Sequence, residues 1–402
     1  MQERPRVLIL TAYFDWFAGY YETALASQMS HYCDTEVIAS NQVAPLLTDS
    51  HLSRLGVPRR YASGTSEEHG FRLTRFSCLQ LRGMAWSNGV RQYIEDREYD
   101  LIIQLSPGGL LPFAGTLARN SSIRIAIYGD NRAMWSGLSI VRRVLKGVAF
   151  SLSKGLLYSA INQRADHLYG YTPNTIRRLR FTDSGKRMKL IPLPFDPERF
   201  FYSEEIRSAC RASLGYGDNH EVILAAGKIL PQKRIDLLIE AFRALLETNA
   251  GLRLLIAGID DGAYSRDLRA AVEGSQAMRE RVTFLGFLEG RDLNGVFNAA
   301  DIGVWPRMPA ITIQQAMATG LFVILPQNDM VGHLIRPGSG CYFSDTGGGE
   351  FGTIVEALQG QLGTGMDASS RVARAVLNSW LGAGELARLL LSDAGFSGPF
   401  GA

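Results

Sequence analysis

A recurring alternation leaves few folds open to this chain. Short runs rich in branched apolar residues, at 7–11, 36–40, 100–105, 123–128, 167–172 and 189–192, are separated mostly by segments of helical length; a second series follows at 222–227, 252–258, 282–287, 302–305 and 322–325. Runs this apolar suit strands buried on both faces, and strands that alternate with helices build parallel, doubly wound sheets. The clearest helix is at 235–246, where Ile235, Leu238, Ile239, Phe242, Leu245 and Leu246 share one face. The proline-spaced IPLPFDPERF at 191–200 divides the two series. Two Rossmann-like α/β domains are therefore expected, at 1–195 and 196–378, with 379–402 as a last helix and a Gly-rich tail. Ligands of open parallel sheets lie beyond the carboxyl ends of the strands, so two such sheets are expected to face a cleft.

Charge adds a constraint on partners. The net formal charge is +3, but residues 101–200 carry 15 Lys/Arg against 5 Asp/Glu, which suits phosphate-bearing or membrane-surface partners more than nucleic acid. In that segment Leu138, Val141, Leu145, Val148 and Leu152 recur at helical spacing beside Arg142, Arg143, Lys146 and Lys154. Such a helix can lie on anionic lipid; the commoner arrangement, with the apolar side in the core and the basic side in water, is the expectation here. Four cysteines without CxxC spacing indicate neither a disulfide framework nor a zinc site, and no His or carboxylate pattern indicates a metal. The N-terminus lacks a signal-peptide core, and the longest uncharged run, 101–118, is interrupted by Pro107, Gly108, Gly109 and Pro112. A cytoplasmic protein is expected, with peripheral contact to the inner membrane face as a variant through 138–154.

Chemistry is sought after the strands. GKILPQKR places Lys228 and Lys233 around a proline turn, a pair suited to a diphosphate leaving group, although two solvated lysines are the plain alternative. WPRMPAITIQQAMATGLFVIL reads as strand, turn and a helix from about Ile311, whose first amides near Ala310, Ile311 and Thr312 can bind phosphate. Gln315 can bond ribose hydroxyls; alternatively Thr312 and Gln315 form a capping box and serve only the helix.

The fragments GKILPQKRIDLLIEAFRALL, LRLLIAG, RVTFLGFLEGRDLNGVFNAADIGVWP, QAMATGLFVIL and GHLIRPGSGCYF, in this order, resemble family-four nucleotide-sugar glycosyltransferases over most of residues 189–345. The resemblance implies a GT-B fold, a donor held mainly by the C-terminal domain, no catalytic metal or other cofactor, and retention of configuration. It places the family's Arg and Lys diphosphate clamp on Lys228 and Lys233, and the nucleobase frame on Gly286 and Phe287. The family's paired glutamates are absent. Gln315 takes the second position, and an ungapped placement puts Arg307 at the first, where it would suit an anionic donor sugar or merely lie in solvent.

The N-terminal half, which the resemblance makes the acceptor side, offers Gly19 at a strand-to-helix turn for close phosphate approach and Asp15 for the acceptor. GDNRAMW puts Asp130, Asn131 and Arg132 at the rim, Asp130 as a catalytic candidate or equally a helix N-cap, Asn131 and Arg132 toward the acceptor. The expected activity is transfer of a sugar from a nucleotide diphosphate, a UDP-sugar, to a hydroxyl of a glycan, lipid-linked or small-molecule acceptor. The alternatives are a sugar-nucleotide epimerase or a degenerate binding or scaffolding subunit.

Overall fold

The computed structural model describes residues 4–16, 20–44, 52–53, 56–81, 84–107, 109–129, 139–150, 155–179, 185–345, 349–364 and 367–396. Two compact units divide the chain, one of residues 1–192 and 383–402, the other of residues 193–382.

The first unit contains β1 (Arg6–Leu10), β2 (Asp34–Ser40), β3 (Gly64–Glu68), β4 (Phe71–Phe76), β7 (Leu101–Leu105), β8 (Ile123–Tyr128), β9 (His167–Gly170) and β10 (Lys189–Leu190), besides a small ribbon of β5 (Leu79–Leu81) and β6 (Met84–Trp86). The main sheet has the order β10-β9-β8-β7-β1-β2-β4-β3, parallel except where β3 turns back on β4. Ile9 of β1 sits between Val37 and Ile103, all three fully buried, which explains the uninterrupted apolar runs. The helices are α1 (Tyr21–Ser30), α2 (Gly89–Glu95), α3 (Leu110–Leu117), α4 (Ile140–Phe150), α5 (Leu156–Arg164) and α6 (Pro173–Leu179). From β1 the chain proceeds outward to β2 and β4, then crosses to β7 and continues the other way. The β1/β7 boundary is thus a topological switch point, where helices leave for opposite faces and a crevice opens.

The second unit repeats this logic. Its sheet is wholly parallel, in the order β13-β12-β11-β14-β15-β16: β11 (Glu221–Ala226), β12 (Leu252–Ala257), β13 (Val282–Leu285), β14 (Ile302–Val304), β15 (Phe322–Pro326) and β16 (Gly340–Phe343). Its helices are α7 (Glu204–Ser213), α8 (Ile235–Leu245), α9 (Ala263–Glu273), α10 (Gln276–Arg281), α11 (Gly290–Ala299), α12 (Ile311–Ala318), α13 (Glu350–Gln359) and α14 (Ala368–Leu377). Side-chain alternation along β11 feeds two cores. Ile223 and Ala225 pack with Leu238, Ile239 and Phe242 of α8 on one face, while Val222, Leu224 and Ala226 pack with Ile313 and Met317 of α12 on the other. Each large aliphatic side chain so buried contributes about 1.5–3 kcal/mol. The switch point here is β11/β14.

The units exchange chain close to one pairing. Phe195 N–H donates to the Leu381 carbonyl at 3.0 Å, and Phe195 bridges to Gly382, so the second unit takes in residues 193–195 and 379–382, which the expected boundaries placed outside it. A last helix, α15 (Ala383–Asp393), lies with the first unit. Leu386, Leu390 and Leu391 are buried, Arg388 donates to the Tyr32 hydroxyl at 3.2 Å, and Asp393 pairs with Lys189 at 2.7 Å.

Candidate functional site

The carboxyl ends of β11 and β12 are pressed together in a way only glycine permits. Gly258 has φ +100, and a Cβ there would lie 2.4 Å from the Gly227 carbonyl oxygen. Gly227 itself has φ +114. From Gly227 the chain passes Lys228, makes a short 3-10 turn at Pro231–Lys233, and enters α8 through Arg234 at φ +54. That turn folds Lys233 back over the strand end: Lys233 Nζ and Thr312 Oγ1 lie 3.0 and 3.1 Å from the point a Gly227 Cβ would occupy. Burial, followed by the like charge of Lys228, pushes the Lys233 ammonium down to about 8, and no carboxylate is among the groups that set its state. Lys228 in turn helps hold Asp260 low, after the Ser265 hydroxyl and the Gly262 amide that bond that carboxylate at 2.6 and 3.0 Å.

The other wall of the β11/β14 crevice is the tip of α12. Thr312 Oγ1 donates to the Ala226 carbonyl at 2.9 Å, and Trp305 Nε1 donates to the same carbonyl at 2.9 Å and to Thr312 Oγ1 at 3.2 Å. These bonds fix the helix start over the end of β11. The capping-box alternative is thereby corrected: the N-cap is Ala310, no side chain caps the helix, and the Thr312 hydroxyl is committed to β11. Uncapped first-turn amides at Ile311 and Thr312 carry the positive end of the helix dipole. Gln315 is 3% exposed, one turn in. Its neighbour Gln314, which sequence reasoning passed over, is as deeply buried, and its Oε1 has no hydrogen-bond partner among the described residues. Gly286 accepts from the Gly258 amide at 3.0 Å; Gly286 is exposed and Phe287 half-buried at the end of β13. Arg307 is exposed on the loop before α12. The structure therefore gathers Lys228, Lys233, Ala310, Ile311 and Thr312 at one crevice, with Gly286 two strands away.

In the first unit the outcome differs. Gly19, Asp130, Asn131 and Arg132 lie outside the described residues. Asp15 is 2% exposed, with Oδ2 accepting from the Ala44 amide at 2.9 Å and Oδ1 from the Tyr61 hydroxyl at 3.0 Å. Its oxygens brace the loops above the sheet, which corrects the expectation that it is presented to an acceptor. The second correction concerns the basic stretch. In α4, Val141, Val144, Leu145 and Val148 are all more than half exposed, so the apolar side is a solvent-facing stripe rather than core. No helix among the described residues is long and apolar enough to cross a membrane. Among the described residues no cluster of His, Cys, Asp and Glu could hold a metal, and the four cysteines are unpaired thiols.

Two switch-point crevices, one with paired lysines and a helix tip, are where open doubly wound sheets take their ligands. Comparison with known proteins makes the class specific. Residues 220–357 match the family model described as "Glycosyl transferases group 1". The GDP-mannose-dependent monoacylated alpha-(1-6)-phosphatidylinositol monomannoside mannosyltransferase of Corynebacterium glutamicum is 28% identical over 268 residues, 63% of this chain and 65% of that protein. The chain spans less than two thirds of the length of the curated relatives it matches first. Among solved structures, sucrose-phosphate synthase of Thermosynechococcus elongatus is 16% identical with a TM-score of 0.65, covering 97% of this chain and 100% of that one. Anabaena HepE in complex with UDP and glucose is also 16% identical with a TM-score of 0.65, covering 96% and 98%. Residues 220–357 thus resemble the group 1 glycosyltransferases, and the chain as a whole has the GT-B fold.

Proposed function

We propose that the protein moves a sugar from a nucleoside diphosphate to an acceptor hydroxyl, with Lys228, Lys233 and the tip of α12 stabilising the departing diphosphate. The observation that carries this reading is the Lys233 ammonium, half-buried at the β11/β14 crevice with a second lysine as its main charged neighbour. A half-buried cation with no carboxylate beside it among the described residues carries a cost that an arriving anion would relieve. Positive charge fixed where negative charge develops is worth about 2.7–4 kcal/mol per strong donor in the transition state. Side chains supply that charge, so the reading asks for no metal. The diphosphate oxygen freed as the glycosidic bond breaks can take the acceptor proton on the same face, which is the retaining course the family resemblance implies. UDP is the expected nucleotide, supported by HepE; the Corynebacterium relative is named for GDP-mannose, so both belong in the test. Incubation with UDP- and GDP-hexoses should release the matching nucleoside diphosphate. No release from any donor, with lipid-linked and soluble acceptors supplied, would contradict the reading.

The Lys233 pKa makes a signed prediction. Because burial lowers it from its ordinary 10.5 to about 8, the folded protein disfavours the ammonium. Its penalty on stability is full below about pH 8 and fades as pH rises toward the ordinary value, where the unfolded chain also deprotonates. A bound diphosphate restores the proton. Nucleoside diphosphate binding should therefore take up protons between pH 8 and 10, and weaken as pH rises through that window. Calorimetry in buffers of different ionisation enthalpy reads this directly; an enthalpy independent of buffer would refute it.

We further propose that the acceptor is lipid-borne and that α4 lies on the membrane surface. Its exposed Val141, Val144, Leu145 and Val148 supply the apolar face, and residues 131–165 hold six Lys/Arg and no Asp/Glu. A basic residue near an anionic surface contributes about 1 kcal/mol. The protein should co-sediment with phosphatidylglycerol vesicles, less so at high salt or as Leu145→Glu, and poorly with phosphatidylcholine alone. Equal sedimentation with both lipids would rule the surface out.

A further inference from the structure

One cation at the β11/β14 crevice has no place in the diphosphate clamp. Beside β11, β14 runs parallel with Ile302 opposite Ile223 and Gly303 opposite Leu224, which sets Trp305 level with Ala226 where the two strands end. The segment 306–311 then leaves the sheet and returns to it as an arch with both feet on one atom: Trp305 Nε1 and Thr312 Oγ1 each donate to the Ala226 carbonyl at 2.9 Å. Pro306 and Pro309 fix φ at two of its positions. Pro306 is buried, and Met308, Pro309, Ala310 and Ile311 are half-buried, so Arg307 is the one exposed residue of the arch. Its Cα is two residues, at most about 8 Å, from that of Trp305, which keeps its long side chain within reach of the crevice mouth.

Arg307 has no hydrogen bond, ion pair or ring contact among the described residues. Elsewhere in the second unit Arg207 and Arg211 pair with Asp301 at 2.6 and 3.2 Å, and Arg234 pairs with Asp236 at 2.9 Å. The residues of this unit that lie outside the described ones, Thr346, Gly347, Gly348, Gly365 and Met366, bring no carboxylate. Asp260, the carboxylate that answers Lys228, is already bonded by the Ser265 hydroxyl and the Gly262 amide. The position of Arg307 is also electrostatically adverse. It stands just ahead of α12, whose uncapped first turn is the positive end of the helix dipole, and at the same end of the sheet as Lys228 and Lys233. A cation fixed there faces the dipole and two like charges, and an anion bound among them turns each of these repulsions into an attraction.

We propose that Arg307 selects a donor whose sugar bears a carboxylate, a nucleoside diphosphate uronic acid, pairing with that carboxylate while Lys228, Lys233 and the α12 tip hold the diphosphate. The inference rests on the donor reading of this crevice and adds the class of the sugar. The diphosphate already has two ammonium groups and a helix tip. The sugar is joined to it through one oxygen, so a third cation on the neighbouring arch meets the sugar rather than the phosphates. A uronic acid carries one more oxygen on C6 than its hexose and asks for no larger pocket. The planar guanidinium donates two parallel N–H bonds to a carboxylate, which a hydroxymethyl group cannot match.

Calorimetric titration of the full chain at low ionic strength tests it, with the pairs UDP-glucuronate and UDP-glucose, UDP-galacturonate and UDP-galactose, and GDP-mannuronate and GDP-mannose. In at least one pair the wild type should bind the uronate about tenfold or more tightly than the neutral sugar. Arg307→Ala should bring the two to parity, and Arg307→Glu should reverse their order; a residue that only shaped the arch would shift both members of a pair alike. No preference for the uronate in any pair, or a preference that survives in Arg307→Ala, would overturn the proposal. UDP and GDP alone are titrated beside them. If either binds, a missing uronate preference counts against Arg307 and leaves the diphosphate clamp standing, whereas failure of both to bind overturns the clamp and this inference with it.

Discussion

Replacing Lys233 by alanine should lower sugar transfer by about a hundredfold or more while leaving the second unit folded, because on the proposed reading it deletes the charge at which the diphosphate departs. The fold is spared for a physical reason. The ammonium is half-buried and its pKa is lowered to about 8, so removing it relieves an electrostatic cost in the ligand-free protein. Thermal unfolding of Lys233→Ala should therefore match or exceed the wild type, whereas kcat should collapse. Lys228→Arg should be far milder, since the family resemblance implies an arginine at that position; the fork differs in geometry from an ammonium but keeps the charge. Turnover of Lys233→Ala within a few-fold of wild type would remove Lys233 from the chemistry.

Gly258→Ala should have the largest effect on stability. The new methyl would meet the carbonyl oxygen of Gly227 at 2.4 Å and its carbonyl carbon at 2.9 Å, and the residue sits at φ +100. Neither obstacle yields to a side-chain rotation, so the β11 and β12 ends must separate. The expected cost is about 2–4 kcal/mol, a fall of about 5–15 °C in the midpoint of the second unit. Nucleotide binding should weaken with it, because Gly227 sets the path of the chain into Lys228 and Lys233. Gly274→Ala is the control: that residue has ordinary φ and nothing within 4 Å of a Cβ, so its change should stay within about 0.5 kcal/mol. A wild-type midpoint for Gly258→Ala would show that the strand ends are not pressed together as described.

Much of the architecture is legible in the sequence because a strand buried on both faces has no way to hide its apolar run. Val37 and Ile103, on either side of Ile9, each belong to a run that reads as a strand, as do β11 to β15. β3 is missed for the converse reason: Gly64–Glu68 is exposed almost throughout and pairs only at the sheet edge, so GTSEE carries no hydrophobic signal. At the β11/β14 crevice, residue types and spacing single out Lys228 and Lys233, but not that the proline turn half-buries one of them. The capping-box spacing of Thr312 and Gln315 is misleading because the Thr312 hydroxyl bonds a carbonyl from a strand far away in sequence, the Ala226 carbonyl at 2.9 Å. Asp15 misleads in the same way through Tyr61. The α4 stripe shows the limit of periodicity itself, which reports that one face is apolar and not what covers it.

The claim that the Lys228, Lys233 and α12 tip constellation grips a diphosphate is tested most directly by calorimetric titration of the full chain with uridine, UMP and UDP, and with guanosine, GMP and GDP. For the preferred base, the diphosphate should bind about a hundredfold more tightly than the nucleoside, and Lys233→Ala should erase most of that difference while leaving nucleoside affinity unchanged. Equal affinity for nucleoside and diphosphate in the wild type, or a difference that survives in Lys233→Ala, would contradict the account.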